Sequence, residues 1–290
     1  MKRRRIRAWI TGIIAILASV VIFLVPFAFV LLQAAKTPAE ASNLAFSWPS
    51  KWQFWANLVA VLQSNDGLIW RAFMNSAILT VTSVAVMVLV AAMSGYILAR
   101  KRSKWGPVVN FFVLAGLIVP PAVVPTIWVL QDLHLFKTMP GMILIEATFG
   151  LSFCILLFRA FFNTVPRELD EAAVIDGANR MQLFFLVILP LLRPVIVTVI
   201  VVQSVFVFND FAGPLYFLPG TDNATVQTTL YTFAGQNLSY YNLLFMDIFL
   251  ITIPPLVAYI IFNRQIGLFG HWVGVTRPGW VAVGRGRGPR

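Results

Sequence analysis

Charged side chains are scarce in this chain: they make up 11% of its 290 residues, against about 25% in an ordinary soluble domain. With 59% hydrophobic residues, so little charge excludes a water-soluble globule and leaves a polytopic membrane protein. Cysteine is nearly absent. The single Cys154 excludes an internal disulfide and says little about redox compartment. Only two histidines occur, His134 and His271, far apart and without paired ligands, so no metal site is expected. No G-x-x-x-x-G-K-[ST] run is present, hence no phosphate-cradling loop. Serines such as Ser47 and Ser94 lack the context of a nucleophile elbow, and the carboxylates are not grouped for acid-base work. The chain alone is expected not to be an enzyme and to bind no cofactor.

What is abundant is long apolar sequence. A crossing needs about 20 apolar residues, and such runs predict six spans: Ile10 to Leu32, Asn75 to Leu98, Val108 to Leu130, Met142 to Phe162, Pro194 to Phe211, and Leu243 to Phe262. The fifth has an ambiguous start, because Leu183 to Leu192 is apolar too and either lies in the interface or extends that helix. The first resembles a signal peptide in its basic flank, but its uncharged core exceeds the roughly 15 residues of such signals. It is expected to remain as an anchor. The fold class is therefore all-α, a six-helix membrane bundle.

Basic residues set the expected orientation, since short positively charged loops stay cytoplasmic. Eighteen of the 22 lysines and arginines fall on one side: before the first span, after the second, around residues 159–193, and after the last. Only Lys36, Lys51, Arg71 and Lys137 fall on the other. Both termini and the 163–193 loop are thus expected in the cytoplasm, with segment 33–71 outside. The net charge of +11 is then mostly a topology signal. Nucleic-acid binding, supported only by the Arg285 to Arg290 tail, is the weaker reading, since anionic lipid attracts such tails. The boundaries follow: a basic N-terminus over 1–9, a membrane domain over 10–264, and a cytoplasmic tail over 265–290.

Trp48, Trp52, Trp55 and Trp70 in the external segment read as headgroup anchors, or alternatively as a surface for an external partner. Pro26, Pro120, Pro121, Pro125, Pro254 and Pro255 interrupt the spans, where each removes a backbone donor and is expected to bend its helix. Ionisable groups in hydrocarbon usually face the bundle interior or water. Glu146, Asp210 and Asp247, with Asn209, are accordingly candidates for a solute path in the outer half; the alternative is that they hold the bundle together or lie at the interface. Asn75 and Gln203 add hydrogen-bonding capacity.

The most specific stretch runs from Glu171 to Pro194. Pro166 suits the first turn of a helix, and Glu168, Asp170 and Glu171 favour a helix N-terminus. Ala172 and Ala173 allow another surface to come near, and Gly177 suits a helix end with positive φ. This alone predicts a short acidic helix between two spans, which without more reads as a solvated connector between them. The ordered set Glu171-Ala172-Ala173, Asp176-Gly177-Ala178, Phe184, Ile188-Leu189-Pro190 and Pro194 closely resembles the EAA loop of bacterial ABC-importer permeases. Asn75-Ser76-Ala77-Ile78, Gly95-Tyr96-Ile97-Leu98-Ala99-Arg100 and Phe208-Asn209-Asp210-Phe211 resemble the sugar-uptake branch, which includes the smaller permease of maltose-type importers. The resemblance covers about residues 70–265.

That resemblance implies an ABC type I importer permease fold in a bacterial inner membrane. It further implies a second, similar permease, two cytoplasmic ATPase subunits that hold ATP and Mg, and an external solute-binding protein. Glu171, Ala172, Ala173, Asp176, Gly177, Ala178 and Pro190 would then be the ATPase-coupling residues. A sugar or oligosaccharide is the implied solute, with a peptide or polyamine as the rival within the class. An ion-coupled secondary transporter and a membrane scaffold or sensor are the rivals outside it. The segment from Gly267 to Pro278 departs from the branch's usual ending, which puts an ATPase contact there in doubt.

Overall fold

Hydrocarbon offers backbone groups no partners, so each apolar run is expected to close its hydrogen bonds within a helix. The computed structural model describes residues 2–101, 103–236 and 240–272, and among these every regular element is helical. Helix α1 spans Lys2–Ala34 and keeps Pro26 inside one uninterrupted helix. The chain then folds back on itself: the Gln33 amide and the Lys36 ammonium both donate to the Ala45 carbonyl, at 3.0 and 2.6 Å. Helix α2, Phe54–Gln63, is followed by three residues of positive φ, Asn65, Asp66 and Gly67. These are the residue types that tolerate the left-handed region, and they turn the chain into α3, Leu68–Arg100.

The third expected span departs from a single rod. Val108 to Leu130 divides into α4, Gly106–Ile118, and α5, Val123–Asp132, whose axes differ by 117°. Pro120 and Pro121 remove two consecutive N–H donors, and the residue before a proline is pushed out of the helical region. Val119 accordingly turns extended at ψ 120°. Helix α6, Met139–Phe162, returns across the bundle, capped by the Thr138 hydroxyl accepting from the Gly141 N–H.

Among the described residues four helices are each long and apolar enough to cross a membrane, and counting each of two bent pairs as one span brings the number to six. The second bent pair resolves the ambiguous fifth span. Residues Arg180–Leu191 form a helical arm that meets α8, Arg193–Asn209, at 73°. The apolar stretch before Pro194 is therefore helical but not a straight extension of α8, and α8 ends at Asn209 because Asp210 is extended. Helix α7, in the loop between α6 and the arm, spans Glu168–Ile175. After α8 come α9, Val226–Gln236, and α10, Tyr241–Trp272, which stays helical through Pro254 and Pro255. The tail over 273–290, with Arg277 and Arg285 to Arg290, lies outside the described residues.

Helices α3 and α6 form the centre, with α8 packed across α3. In lipid there is little hydrophobic drive between helices, so close backbone approach through small residues supplies the packing. At Gly95 an added Cβ would stand 2.9 Å from the Phe158 Cβ, which only glycine avoids. Ala91, Ala92 and Cys154 are fully enclosed nearby. At the end opposite Arg100, Asn75 donates to the carbonyls of Asp222 and Ala224, and the Ser76 hydroxyl accepts from the Val226 N–H. The connection into α9 is thereby fastened to α3.

Candidate functional site

The acidic loop begins where α6 stops. Helix α7 carries Glu168, Asp170 and Glu171 in its first turn, where the aligned peptide dipoles favour carboxylates. Pro166 stands just ahead of the helix rather than inside its first turn. Gly177 has φ +84°, its N–H donates to the Val174 carbonyl, and the Ala178 N–H donates to Ala173. This pairing is the Schellman ending that left-handed glycine permits. Asn179 then starts the arm: its side chain accepts from the N–H groups of Met181 and Gln182, and the Gln182 side chain accepts from the Asn179 N–H.

Ala173 is buried against the rest of the protein, whereas Glu171, Ala172, Asp176, Gly177 and Pro190 are exposed and Ala178 is half-buried. Beside them Val174 is 58% and Ile175 is 85% exposed. Helix α7 thus leaves two branched apolar side chains uncovered beside a row of carboxylates. The loop is also tied inward. The Arg100 guanidinium at the end of α3 forms an ion pair with Asp170 at 2.8 Å and donates to the carbonyls of Val165 and Pro166. Tyr96, one turn earlier, packs on Phe162 and Phe184. Arg159 of α6 donates to Asn110 of α4.

Residues 88–273 match the family described as the binding-protein-dependent transport system inner membrane component. The chain belongs to that family. Among its relatives, the diacetylchitobiose uptake system permease NgcG of Streptomyces coelicolor is 32% identical over 250 residues, covering 85% of this chain and 82% of that protein. The melibiose/raffinose/stachyose import permease MelC of Bacillus subtilis is 27% identical, covering 87% and 92%. A chain in the crystal structure of a bacterial ABC transporter for alginate shares the fold, with a TM-score of 0.77 at 21% identity over 91% of this chain and 98% of that one. The protein is thus a membrane-spanning transport permease rather than an enzyme.

The polar residues of the permease's membrane domain do not converge on one point. Glu146, 2% exposed, faces the carboxyl of Asp210, which also accepts from the Gly213 N–H. Asn209 lies elsewhere, lining a cleft of about 380 Å³ together with Gln227, Thr252 and Phe27. Its side-chain oxygen accepts from the Gln227 amide at 3.2 Å. Asp247 is fully enclosed on α10 and accepts from the Thr229 hydroxyl of α9 at 2.8 Å. Among the described residues no three His, Cys, Asp or Glu side chains gather as a metal site would require.

Sequence reasoning missed Gln227, Thr252 and Arg100 as participants. Gln227 sits in a polar stretch with no local signal. Arg100 counted as a basic residue after the second span and as the end of the Gly95 to Arg100 stretch, with no partner assigned to it. In segment 33–71, Trp48, Trp52, Trp55 and Trp70 are all exposed. Hydrogen bonding from Ser50 holds the Glu40 carboxyl there below the usual carboxylate range.

Proposed function

We propose that this permease carries a sugar or oligosaccharide across the inner membrane as part of an ATP-driven importer. It would pair with a second permease, two cytoplasmic ATPase subunits and an external solute-binding protein. The observation that carries the coupling part is the exposed apolar tip of α7, Val174 and Ile175, beside Glu171 and Asp176. Such a tip fits an apolar groove with a basic rim on a soluble partner. ATP and Mg belong to that partner; the permease contributes a rigid lever. ATP-driven closure of the ATPase pair would displace α7 together with the helices to which it is fastened, alternating access to the pathway.

The sugar assignment is supported by relatives named for diacetylchitobiose uptake and for melibiose, raffinose and stachyose import. The partner assignment is supported by a fold neighbour, itself an alginate ABC transporter solved with a pentasaccharide-bound periplasmic protein. Asn209 and Gln227 give the cleft amide groups suited to hydroxyls, and Glu146, Asp210 and Asp247 remain candidates for the outer path. In this reading both termini and loop 163–193 are cytoplasmic, residues 10–264 form the membrane domain, and 265–290 form a tail.

The test is reconstitution of the permease with its partner subunits in proteoliposomes. Uptake of labelled diacetylchitobiose or an α-galactoside should require ATP inside and binding protein outside. Uptake that follows an imposed ion gradient without ATP would establish a secondary transporter instead. ATP-dependent uptake of peptides or polyamines with no sugar uptake would overturn the sugar assignment.

A further inference from the structure

A lever transmits force only if it is held. Helix α7 is eight residues long, and helices of that length are marginal on their own in water. Connections of a few residues at each end would absorb a push at its tip unless something bridged them. Arg100 does so. Its Nε stands 2.8 Å from Asp170 Oδ2 inside α7, while one of its terminal nitrogens reaches the carbonyls of Val165 at 3.0 Å and Pro166 at 3.2 Å. Those carbonyls belong to the turn between α6 and α7. One planar guanidinium therefore joins three polypeptide elements, by ion pairing to Asp170 and by hydrogen bonds to the two carbonyls.

The environment strengthens this link. The two side chains of the ion pair are 13% and 16% exposed, so water competes far less than at a surface pair. Tyr96, on the same helix, lies 5.5 Å from Phe162 at the entry to the loop and 6.0 Å from Phe184 in the arm beyond it. Gly95 lets α6 come close enough for this arrangement. The last two turns of α3 thus touch the loop before, within and after α7.

We propose that Arg100 is a positioning residue for coupling: it latches α7 to the cytoplasmic end of α3, so that displacement of α7 moves α3 rather than bending the loop. This rests on the docking role proposed for α7. Docking itself uses the exposed side chains of Val174 and Ile175, which take no part in the latch, so loss of the latch should leave binding of the ATPase subunit intact.

The variants are Arg100→Gln, Arg100→Lys and Asp170→Asn, each in the full complex with ATPase subunits and binding protein. The readouts are ATPase co-purification and solute imported per ATP hydrolysed. Co-purification should match wild type in all three, and solute per ATP should fall by about tenfold in Arg100→Gln, within the usual range of coupling between sites. Asp170→Asn and Arg100→Lys should fall less, because each keeps part of the three-way contact. If Arg100→Gln fails to accumulate, Asp170→Asn carries the measurement, since it preserves volume and both carbonyl bonds. Unchanged solute per ATP in folded complexes would overturn the latch. So would loss of co-purification, which would make Arg100 a shaper of the docking surface. Failure of wild type itself to retain the ATPase subunit would instead overturn the docking role of α7.

Discussion

Ile175 offers the cleanest measure of docking at α7. Its side chain is 85% exposed, so truncation takes almost nothing from the permease's own packing. Ile175→Ala removes three carbons. At about 0.8 kcal/mol per buried CH₂, a side chain that becomes enclosed on docking would forfeit about 2 kcal/mol. Since 1.4 kcal/mol is tenfold in an equilibrium constant, affinity for the ATPase subunit should weaken by about thirtyfold. Purified permease in nanodiscs, titrated with labelled ATPase subunit, reads this directly, with thermal unfolding of the permease as the control. Unfolding should be unchanged within about 0.5 kcal/mol, as for a surface substitution. Affinity within twofold of wild type would refute the reasoning, because an apolar tip that loses three carbons without effect is not buried in a groove.

Gly177→Val meets no neighbouring atom but must hold φ +84°, so the local cost should be about 1–2 kcal/mol and appear as weakened ATPase docking more than as lowered yield. In a Cys154→Ala background, Lys101→Cys and Arg180→Cys should resist an impermeant thiol reagent in intact cells, whereas Asn65→Cys and Asp222→Cys should react. Labelling of Arg180→Cys from outside would reverse the orientation. Thr229→Val removes the hydroxyl that donates to enclosed Asp247 and should cost about 1.5–3 kcal/mol in thermal stability, while Asp247→Asn should cost less because an acceptor remains. Glu40, whose folded pKa is depressed, stabilises the 37–50 segment above its unfolded pKa, and that contribution is lost as pH falls through the depressed value. Emission from Trp48 and Trp52 should report this loss on acidification, and Glu40→Gln should abolish the pH dependence.

The spans at α1, α3, α6 and α10 were legible because lipid imposes a minimum apolar length on any crossing, and composition alone meets it. The acidic helix and its ending at Gly177 were legible for a local reason: carboxylates select a helix start, and left-handed backbone selects glycine. The break near Pro120 and Pro121 was visible as a weakness, but the 117° turn it produces was not. A missing donor permits a bend, and only the neighbours decide its size. Pro254 and Pro255 show the converse, since α10 continues through them as helix.

Sequence by itself determined that this chain lies in a membrane, how many apolar runs are available to cross it, and where a short acidic helix interrupts them. Each of these depends on residues adjacent in the chain. Tertiary structure alone decided that Glu146 faces Asp210, that Asn209 meets Gln227 across a cleft, that Asp247 takes its hydrogen bond from Thr229, and that Arg100 reaches Asp170. Those pairings depend on how each helix is rotated about its axis. In water, alternating polar and apolar faces would announce that rotation. In hydrocarbon the outward face is as apolar as the inward one, so rotation is set by small-residue contacts such as Gly95 against Phe158, which no local pattern reveals.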